Sequence, residues 1–501
     1  MSIYQAALSE NKPLSEKKFF VFFMLILLFF SLLLFRKIAE QELPIDDALR
    51  HSAHAMHERS DSEIVLMRPE YSFDHNFGWH RFLRTVRKIF GFNQKQVLYF
   101  SIIFLYLLFH LAGIISSPHP LAWYFSFCIA NSFLFLYVNN LIMGRPFLIT
   151  SAAIMLLLRL WCVEKDCLSK KCLLLASFFI LCAVCWLHGS WYLFLLFPLA
   201  FALAGRLKDA FSIFLLLLAA ALTTALLSGD IFGYFNYHYN VTKDIFLKDI
   251  VNKVLVSELR PLEETFWVFT FFLMLIFIAL ISKKSLAWRK LHKDPAFVLW
   301  FISYIGSYKV LRLWRDWAVP ALLFWLAWQL YILYPKFVLL KKKGVVAFLA
   351  IFLGLNSWIV NYNAKSPFFT FVPPKEIGCD FLSPENKPWM PDSGGMIYAV
   401  EMEIYYDNYF RYPHGDWKYY LAFEQELMPE DNLKQLRAII SDFTAENLKR
   451  WTDKMKPEDR MIFSEKHFNE YFKTRSEKKD PNEIDALEWK KIDKYYVGKL
   501  K

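Results

Sequence analysis

The chain has 501 residues, 56% of them hydrophobic and 19% aromatic, with a formal net charge of +11. An ordinary soluble domain sits nearer half apolar with far fewer Phe and Trp, so a single water-soluble globule is excluded. The positive balance is not a nucleic-acid footprint, because Lys and Arg gather at the ends of apolar runs and form no separate basic stripe.

In chain order the apolar runs are 19–35, 97–115, 121–138, 146–162, 172–187, 190–205, 210–228, 266–282, 295–306, 318–334 and 345–360. A membrane helix needs about 20 apolar residues, so the pattern predicts about eleven spans, with 295–306 the weakest. The first run follows Lys17 and Lys18 and has no small-residue cleavage site behind it, which marks an uncleaved helix. Loop charge then orients the set. With a cytoplasmic N-terminus, the inside loops hold Lys165, Lys170, Lys171, Arg206, Lys208, the basic run 283–293 and the basic run 336–343. The short outside loops hold only Arg145, Lys309, Arg312 and Arg315, which is the positive-inside bias.

The expected architecture is therefore an all-α polytopic membrane domain over residues 1–360, followed by a soluble α+β domain over 361–501 on the outer side. Residues 36–96 and 229–265 are read as outside loops. Within the tail, 394–400 reads as a turn and strand, and 417–424 with 431–448 as mixed strand and helix; 474–485 is charged and expected to be poorly ordered. Of the seven cysteines only Cys379 lies in the tail, so no disulfide is expected within it.

The first outside loop carries the densest chemistry. Pro44 ends one segment, and Asp46 is placed to cap a helix running to about Glu58. The adjacent carboxylates Asp46 and Asp47 have two readings: they cap the helix and complement its dipole, or one serves as a general base while the pair holds a divalent cation. Asp47, His51 and His54 share one helix face, but their spacing is no specific metal signature and a solvated polar face is the simpler reading. Further on, 74–83 predicts a second surface helix, rich in aromatics and arginines, that continues into the second span. His188-Gly189 makes a tight outside turn, and Glu258 precedes the eighth span. Lys309, Arg312 and Arg315 fall where the topology rule disfavours positive charge. Such a cluster either binds phosphate or anchors to lipid headgroups.

An acidic pair after the first helix, two surface helices and a run of short-looped spans together resemble the GT-C glycosyltransferase superfamily. The likeness is to its bacterial branch near the protein mannosyltransferase and aminoarabinose transferase families. The residues that carry it are Asp46-Asp47, the segment 77–83, 144–147, 187–189, 258–261 and 310–316, over roughly residues 15–335. The resemblance implies an enzyme of the bacterial inner membrane that moves a sugar from a polyprenyl-phosphate donor to an acceptor hydroxyl at the outer face. It implies Asp46 or Asp47 as base, with Arg81, Arg84, Lys309, Arg312 and Arg315 around the donor phosphate. His80, His188 and Glu258 would orient the substrate; a divalent cation is compatible with the chemistry and not required by it. Membrane lipid is the other expected partner, and nucleic acid is not one. A transporter or flippase would place ionisable residues near the midplane and show inverted repeats, whereas these spans are nearly free of charge and show no repeat. An inactive, transferase-like scaffold is the third reading, and the intact acidic pair argues against it.

Overall fold

The computed structural model describes residues 4–5, 16–39, 43–44, 46–133, 141–247, 291–333, 343–363, 371–372, 377–421, 423–443, 445–470 and 486–501. Within these, six helices are long and apolar enough to cross a membrane: Lys17–Phe35, Gln94–Ser116, Phe147–Asp166, Lys170–Leu187, Leu207–Ser228 and Leu311–Leu333. Three shorter apolar helices accompany them, at Trp191–Leu203, Pro295–Ser307 and Gly344–Ile359. The weak span expected at 295–306 is thus a real helix of 13 residues. That is shorter than the roughly 20 residues a perpendicular crossing takes. The expected span 266–282 and the charged segment 474–485 lie outside the described residues.

In chain order, α1 (Glu16–Ala39) is followed by α2 (Asp47–His54), α3 (Phe77–Phe90), α4 (Gln94–Ser116), α5 (Pro120–Phe133) and α6 (Phe147–Leu158). Next come α7 (Lys170–Leu187), α8 (Trp191–Leu203), α9 (Leu207–Ser228) and α10 (Ile231–Leu247). The set closes with α11 (Pro295–Ser307), α12 (Leu311–Leu333) and α13 (Lys343–Asn363). Helices α6 and α12 are buried on nearly every side and form the middle of the bundle, packed against each other and against α4 and α11. In contrast, α1, α7 and α9 leave rows of Leu and Phe exposed, the surface a helix turns to lipid.

Three boundaries differ from the sequence reading. The surface helix α3 does not run on into α4: Gly91 ends it at φ 65, and Asn93 starts α4 with a reciprocal cap to Gln96. The stretch 311–318 is helical rather than loop, because Leu313, Trp314 and Trp317 recur at helical spacing and pack inward. Helix α10 occupies part of the stretch expected to be loop, and its aromatic face packs on Phe73, Phe77 and Trp191.

After α13 the chain returns to the first loop. A two-stranded pairing joins β1 (Leu43–Pro44) to β2 (Phe371–Val372). A five-stranded sheet follows, of β3 (Met396–Tyr398), β4 (Lys418–Tyr419), β5 (Arg460–Ser464), β6 (Leu487–Ile492) and β7 (Tyr495–Leu500), in the order β4-β3-β5-β7-β6. Helix α14 (Met402–Arg411) packs directly on α2. The backbone N–H of Leu66 donates to the Tyr419 carbonyl at 2.9 Å and that of Arg68 to the Leu427 carbonyl at 2.7 Å. The sheet region is thereby stitched to the first loop, over one end of the bundle.

Candidate active site

The site is assembled from segment ends that meet at this junction. Asp46 occupies the N-cap position of α2, but its side chain makes no capping hydrogen bond. Instead both of its carboxylate oxygens accept from the Arg145 guanidinium, through Nε and Nη2. Gly144 delivers that arginine: its φ of +64 suits glycine, and a Cβ there would stand 2.9 Å from Ile102 and 3.0 Å from Ala48. Asp47, the first residue of α2, takes a different course. Its Oδ1 accepts from Arg50 Nε at 3.3 Å and from the Tyr406 hydroxyl at 3.4 Å.

Asp47 lies on the wall of a cavity of roughly 840 Å³, its open mouth included. Arg50, Arg145 and Arg312 also line it, with His51 and His75, the turn His188-Gly189-Ser190, Tyr192 and Tyr237. From the sheet region come Tyr406, Phe423 and Glu424. The Arg50 guanidinium sits 3.8 Å from the Phe423 ring centroid, and its Nη1 is buried with no hydrogen-bond partner among the described residues. Gly189 permits a close approach, since a Cβ there would stand 2.6 Å from the His75 ring.

Electrostatics separates the two open carboxyl groups. Burial works to raise the Asp47 carboxyl, but Arg50, Arg145 and Arg312 outweigh it and hold it below the ordinary range. Burial lifts the Glu424 carboxyl, with Asp47 adding, against the pull of Arg312. The histidines are held neutral: burial, helped by Arg312, pushes His188 down to about 3, and burial with Arg50 lowers His51 and His75. The cavity thus sets a carboxylate with a lowered pKa, Asp47, and a carboxyl with a raised one, Glu424, among three guanidinium groups.

Of the residues singled out in the sequence, Asp47, His188 and Arg312 line this cavity, and Asp46 stands behind it against Arg145. His188 pairs through Nδ1 with Thr150 Oγ1 at 2.8 Å, and Arg312 Nε lies 3.5 Å from Asp316. His80 is buried behind the wall: its Nδ1 donates to Asp74 at 2.6 Å, and its Nε2 lies 2.8 Å from His51 Nδ1. Arg81 is exposed and donates to the Leu227 carbonyl at 3.3 Å, Arg84 is half-buried on the same helix, and Lys309 is exposed. None of these three lines the cavity, nor does the buried Arg315. Glu258 lies outside the described residues. His51, which also lines the cavity, is the residue read on one helix face with Asp47 and His54; Arg50 and His75 were within reach of sequence reading, beside the acidic and aromatic motifs. Tyr406, Phe423 and Glu424 carry no local signal that ties them to a loop more than 300 residues away.

No family model and no curated protein matches the chain. Solved structures do. The apo structure of ArnT from Cupriavidus metallidurans superposes with a TM-score of 0.57 at 11% identity, covering 95% of this chain and 97% of that one. Its structure bound to undecaprenyl phosphate gives 0.56 at 11% identity, over 97% and 98%. The apo oligosaccharyltransferase of Archaeoglobus fulgidus gives 0.52 at 10%, over 88% and 69%. The chain has the GT-C fold. The near-complete two-way coverage of ArnT extends the likeness through the sheet region, beyond the residues 15–335 that the sequence motifs spanned.

Proposed function

We propose that the chain transfers a sugar from a polyprenyl-phosphate donor to an acceptor hydroxyl at the outer face of the membrane, with Asp47 as the base. One observation carries the reading: a single low-pKa carboxylate faces three arginines in a cavity built where the loops assigned to the outside converge. The GT-C fold supports it, as does the ArnT structure holding undecaprenyl phosphate. Loop charge supports placing this end of the bundle outside, with the sheet region periplasmic in a bacterial inner membrane.

In the proposed step the acceptor O–H gives its proton to Asp47, the oxygen bonds to the anomeric carbon, and the bond from that carbon to the phosphate oxygen breaks. The lipid phosphate leaves with the electron pair. Arg50, with an unmatched Nη1, and Arg312 supply preorganised positive charge at that phosphate, so no general acid is needed. Asp46 is a weaker candidate for the base because both of its oxygens are occupied by Arg145. His188 and Tyr237 stand where sugar hydroxyls would be oriented.

The test is transfer in membranes with radiolabelled polyprenyl-phosphate sugars. Asp47→Asn is expected to lose on the order of 10²–10⁴ in rate with normal expression. Full activity in that variant would remove Asp47 as base. Lipid scrambling with no sugar consumed would favour the flippase reading instead.

A further inference from the structure

Behind the cavity wall, the end of α2, the segment before α3 and the first turn of α3 bring together His54, Asp74 and His80, with Asp61 of the short helix Asp61–Ile64 beside His54. His54 is only 4% exposed, and neither of its ring nitrogens has a hydrogen-bond partner among the described residues. Asp61 Oδ1 is likewise buried and unpartnered among the described residues; it lies 3.6 Å from His54 Nε2, too long for a hydrogen bond. The His80 ring stacks on His54 with centroids 3.9 Å apart and planes 9° from parallel. One ligand atom from each of His54, Asp74 and His80 lies within 4.8 Å of the other two.

Burying an imidazole with both nitrogens unmatched is costly, and a buried carboxyl oxygen beside it doubles the problem. A cation bound between them would satisfy both. We infer that His54, Asp74 and His80 form a binding site for a divalent ion of the zinc class, with Asp61 in reach as a fourth ligand. Two imidazole nitrogens select zinc-like ions over Mg²⁺ and Ca²⁺, which take oxygen ligands. Tetrahedral zinc, with bonds of about 2.0–2.1 Å, needs ligand atoms roughly 3.3 Å apart, so the stacked His54 and His80 rings would turn out of parallel as they close on it. Asp74 keeps 21% of its side chain exposed, which leaves an entry path.

With the ion on His80 Nδ1, the single proton of the neutral ring would move from Nδ1 to Nε2 and be donated to His51 Nδ1, 2.8 Å away. The metal would thereby set the tautomer of a histidine on the cavity wall. The binding site itself does not depend on the transferase reading, because its test measures metal.

The full-length chain, purified in detergent with any tag removed, is equilibrated with ZnCl₂, passed over chelating resin and assayed for zinc. About one zinc per chain is expected in the wild type. His54→Ala and Asp74→Asn should each retain at least about tenfold less, while His414→Ala, at an exposed histidine outside the cluster, keeps it. Should a variant fail to fold, the wild type decides alone: zinc raises its thermal midpoint and Mg²⁺ does not. Wild type that retains no zinc and shows no rise in midpoint overturns the site. So does a folded His54→Ala/His80→Ala variant that keeps wild-type zinc.

Discussion

Arg145 takes both carboxylate oxygens of Asp46, and the very next residue, Asp47, is left facing the cavity. Two adjacent acids thus hold different positions: one fixes a loop to the start of α2, the other stays open to a substrate. Removing Arg145 strands a buried carboxylate, and breaking such a pair from one side costs about 3–5 kcal/mol. Arg145→Met should therefore unfold well below wild type in detergent, and adding Asp46→Asn should recover part of the loss. A double variant destabilised by the full sum of the two singles would mean that the pair is not coupled.

The same arginines set the pH range of Asp47. Its carboxyl is held below the ordinary value of about 3.9, so the basic form persists into acid and the acid limb of kcat/KM should lie below that value. Arg50 is the largest of the stabilising charges, and Arg50→Gln removes it. The expected result is an acid limb displaced to higher pH, alongside weaker donor binding. A limb that stays in place while the donor KM rises would confine Arg50 to binding.

The membrane fold was readable because hydropathy and loop charge act over many residues, and the observed spans overlap those expected wherever they are described. Asp47, His188 and Arg312 were readable because each stands on a segment that charge assigned to the outer side. Arg81 and Arg84 lie off the cavity wall for a local reason. Their helix α3 turns Phe77, Trp79 and Leu83 inward, so Arg81 faces out and Arg84 stays at the margin. Helix α10 was missed because its Tyr, His and Asn content dilutes the apolar signal. Glu424 and Phe423 were out of reach for another reason: they arrive through the β1–β2 pairing and the Leu66–Tyr419 hydrogen bond, long-range contacts that no spacing encodes.

Acid stability should report on His188. Its folded pKa, about 3, lies below the unfolded value of about 6.5, so the unfolded chain binds the extra proton first. The contribution is fully present above about pH 6.5 and is lost as pH falls toward about 3, at roughly 1.4 kcal/mol per pH unit. His188→Asn keeps a partner for Thr150 and abolishes the titration. Thermal midpoints measured across that window should fall less steeply for the variant. Parallel slopes would show that His188 is not held neutral.

Phe423 offers the sharpest test of whether the sheet region takes part in the site. Its ring lies under the Arg50 guanidinium and is itself buried at 4% exposure, so the cation–π contact is largely desolvated. Such contacts are worth up to about 2 kcal/mol. Truncation to Ala would also leave a cavity costing about 3–5 kcal/mol, which would confuse binding with folding. Phe423→Leu avoids this, keeping most of the volume while removing the π face. If the ring holds Arg50 ready for the donor phosphate, Phe423→Leu should raise the donor KM by about 5–30-fold, the equivalent of 1–2 kcal/mol, and change kcat much less. Asp47 keeps its other charges in that variant, so the pH profile should move less than in Arg50→Gln. An unchanged KM in a stably folded Phe423→Leu protein would mean that the Phe423 ring does not hold Arg50 for the donor.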